Sequence, residues 1–145
     1  MTTASKGYTL VEMMIVLMIL GIITSVTLVS FQPLASAKKA EQFLQQLESD
    51  IHYLQQLALS TGTSATIRFH FASNSYELRQ YTEPVVRRDY DQSIIIDPGI
   101  STSEITYLPT GNIRNPRTIH IYIDNHVYRM VFLLGKGRFY IEQVS

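Results

Sequence analysis

The hydrophobic period of this chain changes twice. From Met13 to Val29 the sequence MMIVLMILGIITSVTLV runs for 17 uncharged residues, and apolar character extends outward from Leu10 and Val11 to Phe31. A helix over Leu10 to Phe31 would rise ~33 Å at about 1.5 Å per residue, enough for a hydrocarbon core of about 30 Å. Apolar on every face and beside a domain too small to surround it, this segment reads as a membrane span or a secretory signal. After Pro33 the pattern becomes amphipathic. Phe43, Leu47, Ile51, Leu54 and Ala58 recur at steps of four, four, three and four, flanked by Leu44 and Leu57. Lys38, Lys39, Glu41, Gln45, Glu48, Asp50, Gln55 and Gln56 are assigned to the opposite, solvent side. Gly62 supplies the C-terminal stop, and Pro33 is expected to kink or briefly break the helix. Tyr8 to Thr61 is then 54 residues, or roughly 80 Å of nearly continuous helix. The amphipathic half spans only about three heptads, so packing on the following β-rich region is favoured over a coiled coil.

From Ser64 onward the period is two. Ile67, Phe69 and Phe71 alternate with Arg68 and His70, Asn74-Ser75 offers a turn, and Tyr76, Leu78 and Tyr81 follow. Further extended segments are expected from Glu83 through Val86, Ser93 to Ile96, Ile105 to Leu108, Thr118 to Ile123, Val127 to Leu133 and Phe139 to Ile141, about seven strands in all. The region from Ser64 to Ser145 has 82 residues, a size at which an isolated core is marginal, so it needs the amphipathic helix as a second layer. The expected fold class is α+β, a long N-terminal helix whose upper half lies on an antiparallel, partly double-layered sheet.

Composition adds exclusions. The 145 residues carry 12 Lys plus Arg against 12 Asp plus Glu, which argues against bulk electrostatic coating of nucleic acid. The absence of Cys removes disulfides, thiolate metal sites and a Cys nucleophile. The charge is uneven: through Ala37 only Lys6 and Glu12 are charged. With Lys6 before the apolar run and Lys38 and Lys39 after it, basic residues do not settle orientation. A secretory signal cut after Ala37 would use Lys6, Met13 to Ile23 and Ala35-Ser36-Ala37, but the uncharged run is longer than usual and Glu12 interrupts it. A carboxylate at mid-bilayer costs on the order of 3 kcal/mol, less near an edge. Glu12 therefore either snorkels into headgroups or meets a functional partner.

The run Lys6-Gly7-Tyr8-Thr9-Leu10-Val11-Glu12 before an uncharged stretch resembles the class III signal of type IV pilins and pseudopilins. The resemblance implies a type IV pilin-like fold, cleavage by a prepilin peptidase between Gly7 and Tyr8, N-methylation of Tyr8, where the family more often has Phe, and an assembly role for Glu12. It divides the chain into a leader (1–7), a transmembrane and assembly half of the stem helix (8–33), an amphipathic half (34–62) and a β-rich globular domain (63–145). The α-amino group exposed by cleavage stays largely cationic at neutral pH, with a reference pKa near 8. Paired with Glu12 of a neighbouring subunit, it would offset the carboxylate's desolvation and set the axial stagger of two helices. Tyr107-Leu108-Pro109-Thr110-Gly111, the strand at Thr118-Ile119, and Gly137-Arg138 are similar to the C-terminal pattern of minor pseudopilins of the GspH and FimT type. Phe132-Leu133-Leu134-Gly135-Lys136-Gly137-Arg138 followed by Phe139-Tyr140-Ile141-Glu142 resembles minor pilins of the ComGD type from competence pili.

Other chemistry finds no support in the residues. His52, His70, His120 and His126 form no helical His pair, and His70 and His120 sit where a strand faces solvent. There is no nucleophile elbow and no phosphate-cradling glycine loop, and Gly135-Lys136-Gly137 reads as a tight turn. No catalytic residue, cofactor or metal is assigned. From Ile105 onward Arg114, Arg117, Arg129, Lys136 and Arg138 stand against Asp124 and Glu142, with four tyrosines interleaved. Arg129, Lys136 and Arg138 are the candidates for DNA contact, although the second arginine of DNA-contacting FimT-like chains is replaced by Tyr140.

The resemblance implies a minor pilin of a competence pilus, in the cytoplasmic membrane as a single span with the C-terminal domain outside, and at the cell surface when assembled near the pilus tip. Its implied partners are prepilin peptidase, other minor pilins, the major pilin, the assembly ATPase and the platform protein. A type II secretion pseudopilin and a single-span binding domain are the alternatives. Mass spectrometry of the mature chain is expected to find a methylated Tyr8 at its start; a start at Lys38 or an intact Met1 would overturn the pilin reading.

Overall fold

The computed structural model describes residues 9–29, 32–99, 103–135 and 137–144, with side chains described outside 25–37. The chain divides into two compact units, one through Lys39 and one from Ala40. In the first, helix α1 spans Leu10–Val29. Thr9 caps it: the Thr9 Oγ1 accepts the backbone N–H of Glu12 at 3.2 Å, satisfying one of the donors a helix start leaves open. Its apolar side chains are uncovered in the single chain, Met14 and Leu17 each 64% exposed. The hydroxyl of Thr24 donates back to the Leu20 carbonyl at 2.8 Å, so this polar group needs no water. Among the described residues no helix is long and apolar enough to cross a membrane; the described side chains of α1 run from Leu10 to Thr24, ~22 Å at 1.5 Å per residue. The expected cleavage junction at Gly7 and Tyr8 lies outside the described residues. Helix α2 spans Gln32–Thr61, which places Pro33 in its first turn, where a missing N–H is tolerated. Residues 30 and 31, where an interruption would fall, are also outside the described residues.

In the second unit α2 packs by the expected stripe. Leu47, Ile51, Leu54 and Ala58 are buried, Phe43, Leu44 and Leu57 are partly so, and Ala40 extends the stripe. Gly62 stops the helix with φ +67°. Two polar residues assigned to the solvent side are not there: Asp50 is buried, and Gln55 is half-buried.

Eight strands follow, rather than about seven: β1 (Ala65–His70), β2 (Ser75–Gln80), β3 (Glu83–Asp89), β4 (Ile94–Asp97), β5 (Glu104–Tyr107), β6 (Arg117–Ile123), β7 (His126–Phe132) and β8 (Phe139–Gln143). They form two four-stranded sheets, β3-β2-β1-β5 and β4-β6-β7-β8, with every pairing antiparallel. Strand β3 runs to Asp89 despite Pro84, because it is an edge strand and an edge tolerates the lost donor. Phe71, expected to continue a strand, instead opens a single 3-10 turn over Phe71–Ser73. Asn74 then reverses the chain with φ +44°, a conformation its short polar side chain accepts, and Ser75 begins β2. One core joins α2 to both sheets: Leu47, Ile51 and Leu54 share a buried cluster with Ile67, Leu78 and Ile105 of the first sheet and Ile119, Ile121 and Met130 of the second.

Two polar junctions fix α2 on this core. The buried Asp50 carboxylate accepts the Tyr76 hydroxyl at 2.8 Å, the Arg88 Nε at 3.2 Å and the Gln46 amide at 3.1 Å. These bonds compensate a charge that would otherwise be costly to bury. Burial, then the bond to Asp50, pushes the Tyr76 phenol well above its ordinary pKa. At the second junction the Gln55 amide donates to the Gly111 carbonyl at 2.8 Å and the Tyr107 hydroxyl donates to the Gly137 carbonyl at 3.1 Å. Here two glycine turns meet. A Cβ on Gly137 would stand 2.2 Å from the Gly111 oxygen and 2.6 Å from the Tyr107 ring, and its φ is +59°.

Gly137→Ala combines a left-handed backbone with a collision against backbone, and is expected to cost about 3 kcal/mol or more in urea unfolding; Arg138→Ala beside it should cost under ~0.5 kcal/mol. Equal effects would refute the junction. Burial pushes the Tyr107 phenol up to about 12, against an ordinary value of about 10. A raised folded-state pKa gives stability that is complete below about 10 and lost as pH rises toward the folded value. Tyr107→Phe is therefore expected to lose about 1 kcal/mol at neutral pH through its missing hydrogen bond yet to decline less above about pH 10. An alkaline decline as steep as that of the unmodified chain would show that Tyr107 plays no part in it.

Candidate functional site

The candidates lie in three places. Glu12 is the third residue of α1, one turn from the Thr9 cap, and is exposed. The sequence Thr9-Leu10-Val11-Glu12 is a capping-box pattern, a local role that sequence reading passed over. The cap itself uses the Glu12 backbone N–H, and a carboxylate in the first turn also suits the helix dipole.

The C-terminal candidates are not brought together as a basic patch. Arg129 on β7 faces Glu142 on β8, and its Nε donates to the Glu142 carboxylate at 2.7 Å with Nη2 bonded to the same oxygen. Arg138 is exposed in the turn before β8, and Lys136 lies outside the described residues. The row containing Arg129 is closed by a carboxylate at each end: Asp97 pairs with His120, His120 with Arg129, and Arg129 with Glu142. A row of the first sheet alternates acid and base, with Glu104, Arg68, Glu77 and Arg87 opposed in turn across β5, β1, β2 and β3. Arg68 is bonded to Glu104, and Glu77 takes His70 at 3.3 Å and Arg79 at 3.4 Å. Opposite charges at facing positions each contribute roughly 0.2–1 kcal/mol, and Arg68 and Arg129 each face a carboxylate across the sheet. The other histidines have structural neighbours, His52 against the Phe139 ring at 4.9 Å and His126 at 3.1 Å from the Gln143 amide. No cluster of three or more metal-ligating groups occurs among the described residues.

The third place was missed as a site. At the edge of the first sheet an open groove of about 470 Å³ is lined by Ser64, Thr66, Thr106, Glu104, Arg114 and the turn residue Tyr81. A smaller hollow of about 120 Å³, sharing Glu104, Thr106 and Arg114, adds Asn115 and Arg117. Arg114 reaches it because its backbone N–H binds the Thr106 carbonyl at 2.9 Å, which lays residues 113–114 along β5. The Arg114 side chain has no hydrogen bond or ion pair among the described residues. Arg117 is half-buried, and burial lowers its guanidinium pKa. Both arginines counted in the basic surplus of the sequence; what brings Arg114 into one groove with Tyr81 is the tertiary fold, which no local pattern carried.

Residues 2–28 match the prokaryotic N-terminal methylation motif. Over 138 residues the chain is 26% identical to competence protein ComGD of Bacillus subtilis (strain 168), covering 95% of this chain and 94% of that one. Over 65 residues it is 32% identical to type II secretion system protein H of Klebsiella pneumoniae, covering 45% of this chain and 38% of that one. Among solved structures the type IV minor pilin FimU of Pseudomonas aeruginosa superposes with a TM-score of 0.60 at 13% identity, over 77% of this chain and 91% of that one. At that identity the likeness concerns the fold, a helix followed by antiparallel sheets. The chain thus carries a match to the methylation motif over residues 2–28, is similar to ComGD along nearly its whole length, and shares the fold of the minor pilin FimU.

Proposed function

We propose that this chain is a structural minor pilin of a competence-type pilus, needed for DNA uptake in transformation. The observation that carries this reading is the similarity to competence protein ComGD over almost the full length of both chains. In this reading prepilin peptidase cuts between Gly7 and Tyr8 and methylates Tyr8. The apolar segment spans the cytoplasmic membrane once with the β-domain outside, until the subunit enters the filament near its tip. Uncovered apolar side chains along α1 support it, since such a helix gains by transfer to lipid or to neighbouring helices. Glu12 then sets the register by meeting the terminal ammonium of an adjacent subunit. The partners are prepilin peptidase, the other minor pilins, the major pilin, the assembly ATPase and the platform protein. Contact with DNA through Arg129, Lys136 and Arg138 would require Arg129 to exchange Glu142 for phosphate.

A second reading, a minor pseudopilin of a type II secretion system, draws on the similarity to secretion protein H, which is limited to 65 residues. Deletion of the gene separates the two: the competence role predicts loss of transformation with enzyme secretion unchanged, and the opposite pattern would assign the chain to secretion. In the same strain Glu12→Ala is expected to be cleaved and methylated normally but absent from sheared filaments; normal incorporation would refute the pairing role.

A further inference from the structure

We propose that the hollow where the first sheet meets β4, bounded by Phe71, Asn74, Tyr90, Gln92 and the β4 isoleucines, binds one uncharged pyranose ring of an oligosaccharide. The site belongs to the β-domain alone and holds whichever filament the subunit enters.

Size and shape come first. The hollow holds about 140 Å³, well under the roughly 300–1,000 Å³ of a site that encloses a drug-sized ligand. It therefore suits one ring of a chain that continues past it. A pyranose presents a face of C–H groups and a rim of hydroxyls, and the lining offers a counterpart to each. The Phe71 ring lies nearly parallel to that of Phe69, with centroids 6.3 Å apart and 6° between planes, yet Phe71 remains 41% exposed. An aromatic face attracts polarised C–H groups, and covering them adds an apolar contribution. Ile95 extends that apolar wall on the edge strand β4 and is 61% exposed.

The polar groups of the lining are uncommitted. The side-chain amides of Asn74 and Gln92 and the hydroxyl of Tyr90 have no hydrogen bond among the described residues. Amides and a phenol each donate and accept, as sugar hydroxyls do. Tyr90 is half-buried, and burial raises its phenol pKa, so it remains a donor at neutral pH. A half-buried hydroxyl without a partner is a group that a ligand satisfies.

Charge separates the sugar from other occupants. No ionised side chain lines the hollow, which removes the grip that a phosphate or carboxylate takes. A purely apolar knob would leave two amides and a phenol unpaired.

The walls are also fixed in advance. Asn74 holds its left-handed φ of +44° while its carbonyl accepts the Tyr90 N–H at 2.8 Å. The Tyr90 ring is wedged against Phe43 and Tyr76, with centroids at 5.6 and 6.4 Å. The Asp91 carboxylate accepts the Ser93 N–H and hydroxyl at 2.9 and 2.7 Å, which shapes the turn carrying Gln92. Binding then has little left to order.

The test uses the full chain, labelled at isoleucine methyl groups, in micelles of a phosphocholine detergent that carries no sugar. It is titrated by NMR with an N-acetylglucosamine trimer and with cellotriose. At least one trimer is expected to shift the methyl signals of Ile94, Ile95 and Ile96 with a Kd of about 1 mM, as one ring-sized contact allows. Tighter binding of the acetylated trimer identifies an amino-sugar polymer as the source, and tighter binding of cellotriose a plain hexose polymer. Asn74→Gly, which keeps the left-handed turn, and Gln92→Ala should each weaken binding about fivefold, the loss of one hydrogen bond. Phe71→Ala should weaken it about tenfold. Tyr140→Ala, which removes an exposed ring of β8, should change it less than about twofold. If Phe71→Ala disturbs the fold, Gln92→Ala on its exposed turn decides the matter. No shift with either trimer up to ~10 mM, unchanged affinity in both amide variants, equal affinity for an acetylated alanine tripeptide, or a loss confined to Tyr140→Ala would each overturn the proposal.

Discussion

Everything in the C-terminal unit depends on one apolar stripe being shared by two sheets. Neither four-stranded sheet has a second layer of its own sequence to bury its inner face. A single helix supplies the common layer, with Leu47, Ile51 and Leu54 in one cluster with residues of both sheets. A shared layer brings a requirement of its own, because nonspecific apolar contact would let the helix slide or rotate. The two polar junctions answer it: Asp50 ties α2 to Tyr76 and Arg88 of the first sheet, and Gln55 ties it to the turn at Gly111. Each is directional where packing is not.

That division of labour explains what could be read from sequence. The stripe was legible because its signal is local: a period of 3.6 over residues 43–58 needs no knowledge of the partner. Strand positions from β4 onward were legible for the same reason, with Ile94 and Ile96 or Ile119, Ile121 and Ile123 alternating inward. Asp50 and Gln55 were misplaced because polarity alone argues for the solvent side, and the groups that reverse this, Tyr76 and Gly111, lie 26 and 56 residues away. The pattern Pro109-Thr110-Gly111 with Gly137-Arg138 was legible only as a resemblance. Its physical reason is that the two glycines abut in space, leaving no room for a Cβ on Gly137.

Charge tells a similar story. A surplus of basic residues along a stretch of sequence becomes a basic surface only if the fold leaves the cations uncompensated. Across both sheets it does the opposite, opposing Arg68 to Glu104 and Glu77, and Arg129 to Glu142. Arg114 differs because it lies beyond the paired strands: an isolated bridge joins Tyr107 to Ile113, and the next residue emerges past the edge of β5. An edge is where cross-strand neutralisation stops, so it is where a net charge can persist on an otherwise balanced domain.

The same contrast between satisfied and unsatisfied groups separates the two explanations of Glu12. If the residue were there only to start α1, its side chain would be expected to complete the capping box by reaching back to Thr9. Instead Thr9 supplies the capping oxygen and Glu12 contributes its backbone N–H, while its carboxylate has no hydrogen bond or ion pair among the described residues. The helix start gains at most about 1 kcal/mol from that charge in water, whereas moving it into hydrocarbon costs on the order of 3 kcal/mol. That mid-bilayer figure falls toward the membrane edge, so the balance at Glu12 turns on how deep the head of α1 lies. In the proposed function a cationic group arriving from another subunit would offset that cost, and only at the one axial offset that brings the two charges together.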